Sequence, residues 1–173
     1  MSKDLIPQEI IENKIFILRG KKVMIDWDLA RLYEVETKRL NEQVKRNLRR
    51  FPPDFMFQLA EKEKNELVAK SDRFKSLKHS SAMPFAFTEN GVAMLSSVLN
   101  SERAVDVNIQ IMRTFNRLKD LIASHKELAA RLDELEKKYD GQFKIVFAAI
   151  RALVAVPARP NKQIGFTVKE NGA

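Results

Sequence analysis

The chain has 173 residues, and its 31 Lys and Arg against 23 Asp and Glu give a formal charge of +8 and a pI near 9.7. It has no Cys and only two His, which removes disulfides, thiolate metal sites and cysteine nucleophiles and leaves little material for zinc or Ser-His chemistry. The expectation is a binding protein with an anionic partner, not an enzyme, and one that needs no cofactor or metal.

With 45% hydrophobic residues, five Gly and six Pro, the chain can bury a core. Its start, Met1-Ser2-Lys3-Asp4-Leu5-Ile6-Pro7, carries an early acid and a Pro where a secretory signal needs an apolar run. The longest apolar region, Ile145 to Val156, is cut by Arg151 and falls short of the about 18 residues that span a bilayer. A cytoplasmic protein without membrane insertion is expected.

In chain order, Ile15-Phe16-Ile17-Leu18 and Val23-Met24-Ile25 are β-rich runs separated by Arg19-Gly20-Lys21-Lys22, a hairpin whose turn uses Gly20. Asp26 or Asp28 is positioned to cap a short helix from Leu29 to about Tyr33, and Thr37 to cap a second one running to about Arg50. Pro52-Pro53 ends that helix. Phe55 to Leu59 reads as a strand, Glu61 to Ala69 as a charged surface helix and Phe74 to Ser81 as a basic loop. Pro84 to Thr88 reads as another strand, and Thr88 as the cap of a helix through Leu99, in which Gly91 permits close packing. From Ser101 to Val154 there is no Pro and only one Gly, Gly141, which allows a very long helix. The fold class is α+β: a small N-terminal domain with a β-hairpin, a helix-turn-helix-like pair and further short strands, followed by a long C-terminal helix or coiled coil.

The segment from Asp28 to Asn47 has helix-turn-helix spacing. Leu29 and Ala30 stand where two steeply crossing helices need a small apolar contact, and Val35 fills the inward position of the turn. Leu40, Val44, Leu48 and Phe51 recur as one buried stripe. Lys38, Glu42, Lys45, Arg46 and Arg49 project from the opposite side, with Arg39 and Arg50 flanking them. Six basic side chains against two acids between Glu36 and Arg50 place a local +4, half the net charge, on this helix. Such a helix suits the major groove of double-stranded DNA. Asn41 and Gln43, toward the sides of the wheel, are amides of the kind that pair with adenine, and Arg39 and Arg46 are of the kind that pair with guanine. The DNA-facing set is therefore Lys38, Arg39, Asn41, Glu42, Gln43, Lys45, Arg46, Arg49 and Arg50. Glu34 occupies the turn position often held by Gly, and Glu42 puts an anion amid the cations. The competing reading is a solvated basic helix on an ordinary domain.

Three blocks, Leu29 to Tyr33, Val35 to Asn47 and Arg50 to Leu59, resemble the N-terminal domain of the phage-associated KilA-N superfamily in its "Orf six N-terminal" branch. Pro84 to Leu99, Ser101 to Ala104 and Val107 to Arg113 extend the likeness to about residues 10–117. The resemblance implies a bacterial or prophage DNA-binding, antirepressor-like protein and a transcription-regulating role. It does not say which residues touch bases.

Beyond this domain, residues 118–154 read as a helical oligomerisation segment and 155–173 as a flexible tail. Ile111, Leu118, His125, Leu132, Tyr139, Val146 and Leu153 fall at heptad position a, and Thr114, Leu121, Leu128, Leu135, Gln142 and Ala149 at d. A continuous helix to Val154 would be roughly 80 Å long, and a homodimer through a coiled coil follows as the expectation. Val105, Ile109, Met112 and Phe115 are read as domain core, and Asp140-Gly141 as a place for a break, after which Phe143 to Val154 forms a separate helix. The alternative is a helix folded back on its own domain.

Two further functions compete with DNA reading. One is capture of a repressor partner through the coil or the tail, with Gln163-Ile164-Gly165-Phe166 adding as a strand. The other is a metal-dependent nuclease, for which Pro53-Asp54 lacks a following Asp/Glu-x-Lys on a neighbouring strand.

Overall fold

Alternating apolar residues build the sheet on which the rest of the N-terminal part is mounted. The computed structural model describes residues 6–138 and 144–155. Its elements are α1 (Gln8–Glu12), β1 (Ile15–Leu18), β2 (Lys21–Ile25), α2 (Asp26–Tyr33), α3 (Thr37–Arg46), a 3-10 turn (Leu48–Arg50), β3 (Met56–Gln58) and α4 (Glu61–Lys70). They continue with a 3-10 segment (Asp72–His79), β4 (Phe85–Thr88), α5 (Glu89–Leu99), α6 (Glu102–Lys138) and α7 (Lys144–Ala155). The architecture is α+β, with four antiparallel strands in the order β1-β2-β4-β3.

Register decides which residues share a face. Phe16 pairs with Val23, Ile25 with Ala86 and Ala86 with Phe57, so Phe16, Leu18, Val23, Ile25 and Ala86 form one buried face, joined by Leu59, Leu67 of α4 and Phe74. Ile15, Met24 and Phe87 are cross-strand neighbours on the opposite face, also buried. There Phe51 meets Phe87 edge-on at 5.9 Å. A Cβ on Gly91 would lie 2.1 Å from the Phe55 carbonyl oxygen. The close-packing role expected of Gly91 is therefore what α5 requires.

The hairpin forms as its residues suggest, with one adjustment. Arg19 (φ 53°) and Gly20 (φ 75°) both take positive φ, the two-residue turn that matches strand twist, so Lys21 and Lys22 belong to β2. Arg19 is held there by a two-pronged ion pair to Glu63, at 2.8 and 3.1 Å, and by stacking over Phe57. Glu63 also accepts the Ala60 N–H at 2.8 Å, the carboxylate half of a capping box at the start of α4.

The capping expectations need correction. Thr37 is the first residue of α3 and Glu36 its cap, with no side-chain cap bond. Thr88 does flank α5, but its hydroxyl donates backward to the carbonyls of Asp54 and Phe55, bracing β4 against the 54–55 turn. Asp26 and Asp28 lie inside α2. Asp28 takes Arg73 instead, at 2.9 and 3.0 Å. The expected basic loop is a 3-10 segment anchored by buried Phe74.

Backbone contacts divide the chain into two compact units, with the boundary inside α6 between Met112 and Arg113. In the first unit the inner side of α6 is Ala104, Val107, Asn108 and Ile111, while Val105 and Ile109 are 46% and 45% exposed, contrary to their reading as core. Buried Asn108 explains the shifted phase. It accepts the Tyr33 hydroxyl and donates to the Val92 carbonyl at 2.7 Å, a polar residue that an apolar count passes over.

In the second unit the continuous helix to Val154 is not what forms. Arg151 and Asp133 are ion-paired at 2.6 Å, whereas 18 residues of straight helix would separate them by about 27 Å. Helix α7 therefore lies back along α6, whose 37 residues run about 55 Å. Tyr139, Asp140, Gly141 and Gln142 fall outside the described residues, as does the proposed strand at 163–166.

Candidate nucleic-acid interface

The turn between α2 and α3 uses backbone geometry that a sequence pattern only hints at. Glu34 adopts the left-handed conformation (φ 58°, ψ 43°), which explains why Gly is favoured at this position in such turns. The Val35 N–H reaches the Ala30 carbonyl at 2.9 Å and the Glu34 N–H that of Arg31 at 3.2 Å, satisfying the last carbonyls of α2. Glu34 is held by Arg103, 3.5 Å away, and Arg103 also donates to the Leu32 carbonyl at 3.2 Å. Helix α6 thus braces the turn from behind, together with the Tyr33–Asn108 bond.

Helix α3 buries Leu40 and Val44 and exposes Lys38, Arg39, Glu42, Lys45 and Arg46. Lys38 and Lys45 are seven residues apart, as are Arg39 and Arg46, so two basic rows run along the helix with Glu42 between them. Arg49 and Arg50 are exposed but leave the helical wheel, because the α-helix ends at Arg46 and not near Arg50. The cause is Asn47. Its side chain donates to the Gln43 carbonyl at 2.8 Å, a side-chain bond that competes with the helical ladder. The break also turns Leu48 outward, to 56% exposure, so it does not belong to the buried stripe, whereas Phe51 stays buried. Arg50 donates to the Ser97 hydroxyl of α5 at 2.9 Å.

The two amides sit differently from the cations. Gln43 is half-buried. Asn41 is half-buried as well, and its Nδ2 donates to Asp26 Oδ2 at 2.9 Å, cross-linking α3 to the start of α2. That bond engages one of the two N–H groups of the Asn41 amide. Its Oδ1 is buried without a partner. Beside this bond a groove of about 730 Å3 opens between α3 and residues 77–85, lined by Asp26, Asn41, Lys38, Lys45, Met83 and Phe85 among others.

Asp26 is 4% exposed. Burial raises its carboxyl above the usual range, against the lowering effect of hydrogen bonds from Asn41, Phe85 and Trp27, while the Asp28 charge adds to the rise. With the folded value above the unfolded one, stability from this group is full below the unfolded carboxyl value and is lost as pH rises through the folded value. Asp26→Asn abolishes this titration. Chemical denaturation across the acid range is therefore expected to show the variant gaining on wild type from about pH 4 upward. A stability difference independent of pH would refute the assignment.

Among the described residues no group of three or more His, Asp and Glu comes together as a metal site, and no helix is long and apolar enough to cross a membrane.

Residues 13–98, from β1 through nearly all of α5, match the ORF6N domain. The blocks at 101–113 lie beyond the matched span. No curated protein and no solved structure matches the chain. The segment that builds the sheet and mounts the α2–α3 pair is thus an ORF6N domain, of the KilA-N type its sequence resembles.

Proposed function

We propose that α3 binds double-stranded DNA and that the chain acts as a phage-type transcriptional regulator or antirepressor. One observation carries the reading. Lys38, Arg39, Lys45, Arg46 and Arg49 are exposed, and none has an ion pair among the described residues, whereas Lys14, Arg19, Arg73, Lys75, Arg103, Arg131 and Arg151 each face a carboxylate. Cations gathered on α3 and the 3-10 turn that follows it, and left without ion-pair partners among the described residues, are available to phosphates. In this reading the five cations neutralise backbone phosphates, and Glu42 accepts from a cytosine amino group, which gives the central anion a use.

The test is a fluorescence-anisotropy titration of duplex DNA between about 50 and 200 mM salt. Five phosphate-competent cations predict a log–log slope of about −4 to −5. Binding that is absent, or indifferent to salt, would remove the proposal. Selection of bound duplexes from a random pool then separates a regulator that reads sequence from a basic protein that does not, since only the first recovers a motif.

A further inference from the structure

The α6–α7 hairpin of the second unit leaves large apolar side chains exposed on both of its helices. Of the heptad leucines, Leu118 and Leu132 at position a are buried, while Leu121, Leu128 and Leu135 at position d stay 40%, 43% and 41% exposed. On α7, Val146, Ile150 and Leu153 are 54%, 38% and 77% exposed, at the i, i+4, i+7 spacing of one helix face. Two helices laid side by side cover only one stripe of each. These six side chains leave on the order of 500 Å2 of apolar surface, as much as the largest patch on a typical monomer.

We propose that this stripe is a self-association surface: the hairpins of two copies pack face to face into a four-helix bundle, so that the occupant is a second copy of this chain. Three features favour that occupant. The sevenfold spacing of Leu121, Leu128 and Leu135 is the spacing of a helix seam and is complementary to itself under a two-fold axis. Two such faces together remove on the order of 1,000 Å2, the scale a specific interface needs. The charges of this segment are mixed in sign, nine basic residues against six acids from Arg113 to Val154, so opposite charges are available to pair across an identical surface. The bundle differs from a two-stranded coil because α7 supplies half of its seam. The inference stands apart from the DNA reading, and either can fail alone.

The test is light scattering on the full chain at micromolar concentration. A dimer is expected for wild type, and a monomer with unchanged helical circular dichroism for Leu128→Asp. Because the chain has no native Cys, a second pair of variants decides the matter if Leu128→Asp fails to fold. Leu128→Cys is expected to form an intermolecular disulfide under mild oxidation, and Ala123→Cys, on the opposite side of α6, is not. A monomeric wild type overturns the proposal whether the stripe is then covered by the chain itself or by a different protein. Equal cross-linking of the two cysteine variants overturns it as well.

Discussion

Reversing two charges of the proposed interface, one at the end of α3 and one on the 3-10 turn after it, Arg46→Glu with Arg49→Glu, is expected to lower affinity for duplex DNA at least about tenfold and to make the salt slope shallower by about 2. The arithmetic is that of released counterions: each lost phosphate contact takes about 0.9 from the slope, and the added carboxylates repel the backbone besides. Folding should be unaffected, because both side chains are exposed and neither ion-pairs with a described residue. The matched control places the same two reversals elsewhere, at exposed Lys126 and Lys137 of α6. Net charge then falls equally in both variants, so a diffuse attraction of the whole +8 chain predicts equal losses. An interface on α3 predicts that only the first variant loses affinity. Equal losses would reject the helix while leaving basicity intact.

What the sequence makes legible follows the range of the interactions involved. Strands β1, β2 and β4 and helix α5 declare themselves through local periodicity, because burial of one face needs only the spacing of neighbours. The α2–α3 pair is legible for the same reason, and Leu29, Ala30, Leu40 and Val44 are buried where the pattern puts them. The departures arise where a side chain chooses a distant or unexpected partner. Asn47 turns back on Gln43 and moves Arg49 and Arg50 off the wheel. Asn41 bonds to Asp26, 15 residues earlier, a link from α3 to α2 that its place on the wheel does not announce. Buried Asn108 shifts the phase of the first α6 turns. The heptad pattern is present in the sequence, yet one ion pair between Asp133 and Arg151 shows that the helix doubles back, and the period alone carries no sign of that.

The stability of the platform under α3 turns on another long-range pair, Asp28 with Arg73. The Asp28 side chain is 0% exposed and accepts two parallel bonds from Arg73, whose guanidinium also stacks on Phe16 and Phe74. Lys14 stands 3.7 Å away as a second, weaker counter-charge. Arg73→Ala leaves a buried carboxylate with only that lysine, and the expected loss is about 3–5 kcal/mol, toward the lower end because Lys14 remains. In thermal unfolding of a chain this size this corresponds to about 6–20 °C. Arg73→Lys keeps the charge but loses the fork and the ring stacking, so an intermediate loss is expected. The informative variant is the double one, Asp28→Asn with Arg73→Met. With both charges removed there is no uncompensated ion to bury, and most of the single-variant loss should return. Failure of the double variant to recover would mean that the pair acts through packing of the Arg73 stem and not through charge. The same measurement bears on the interface. Asp28 sits in the helix that carries the turn to α3, so a weakened pair should reduce DNA binding through the fraction of folded molecules alone, leaving the salt slope of those that remain at its wild-type value.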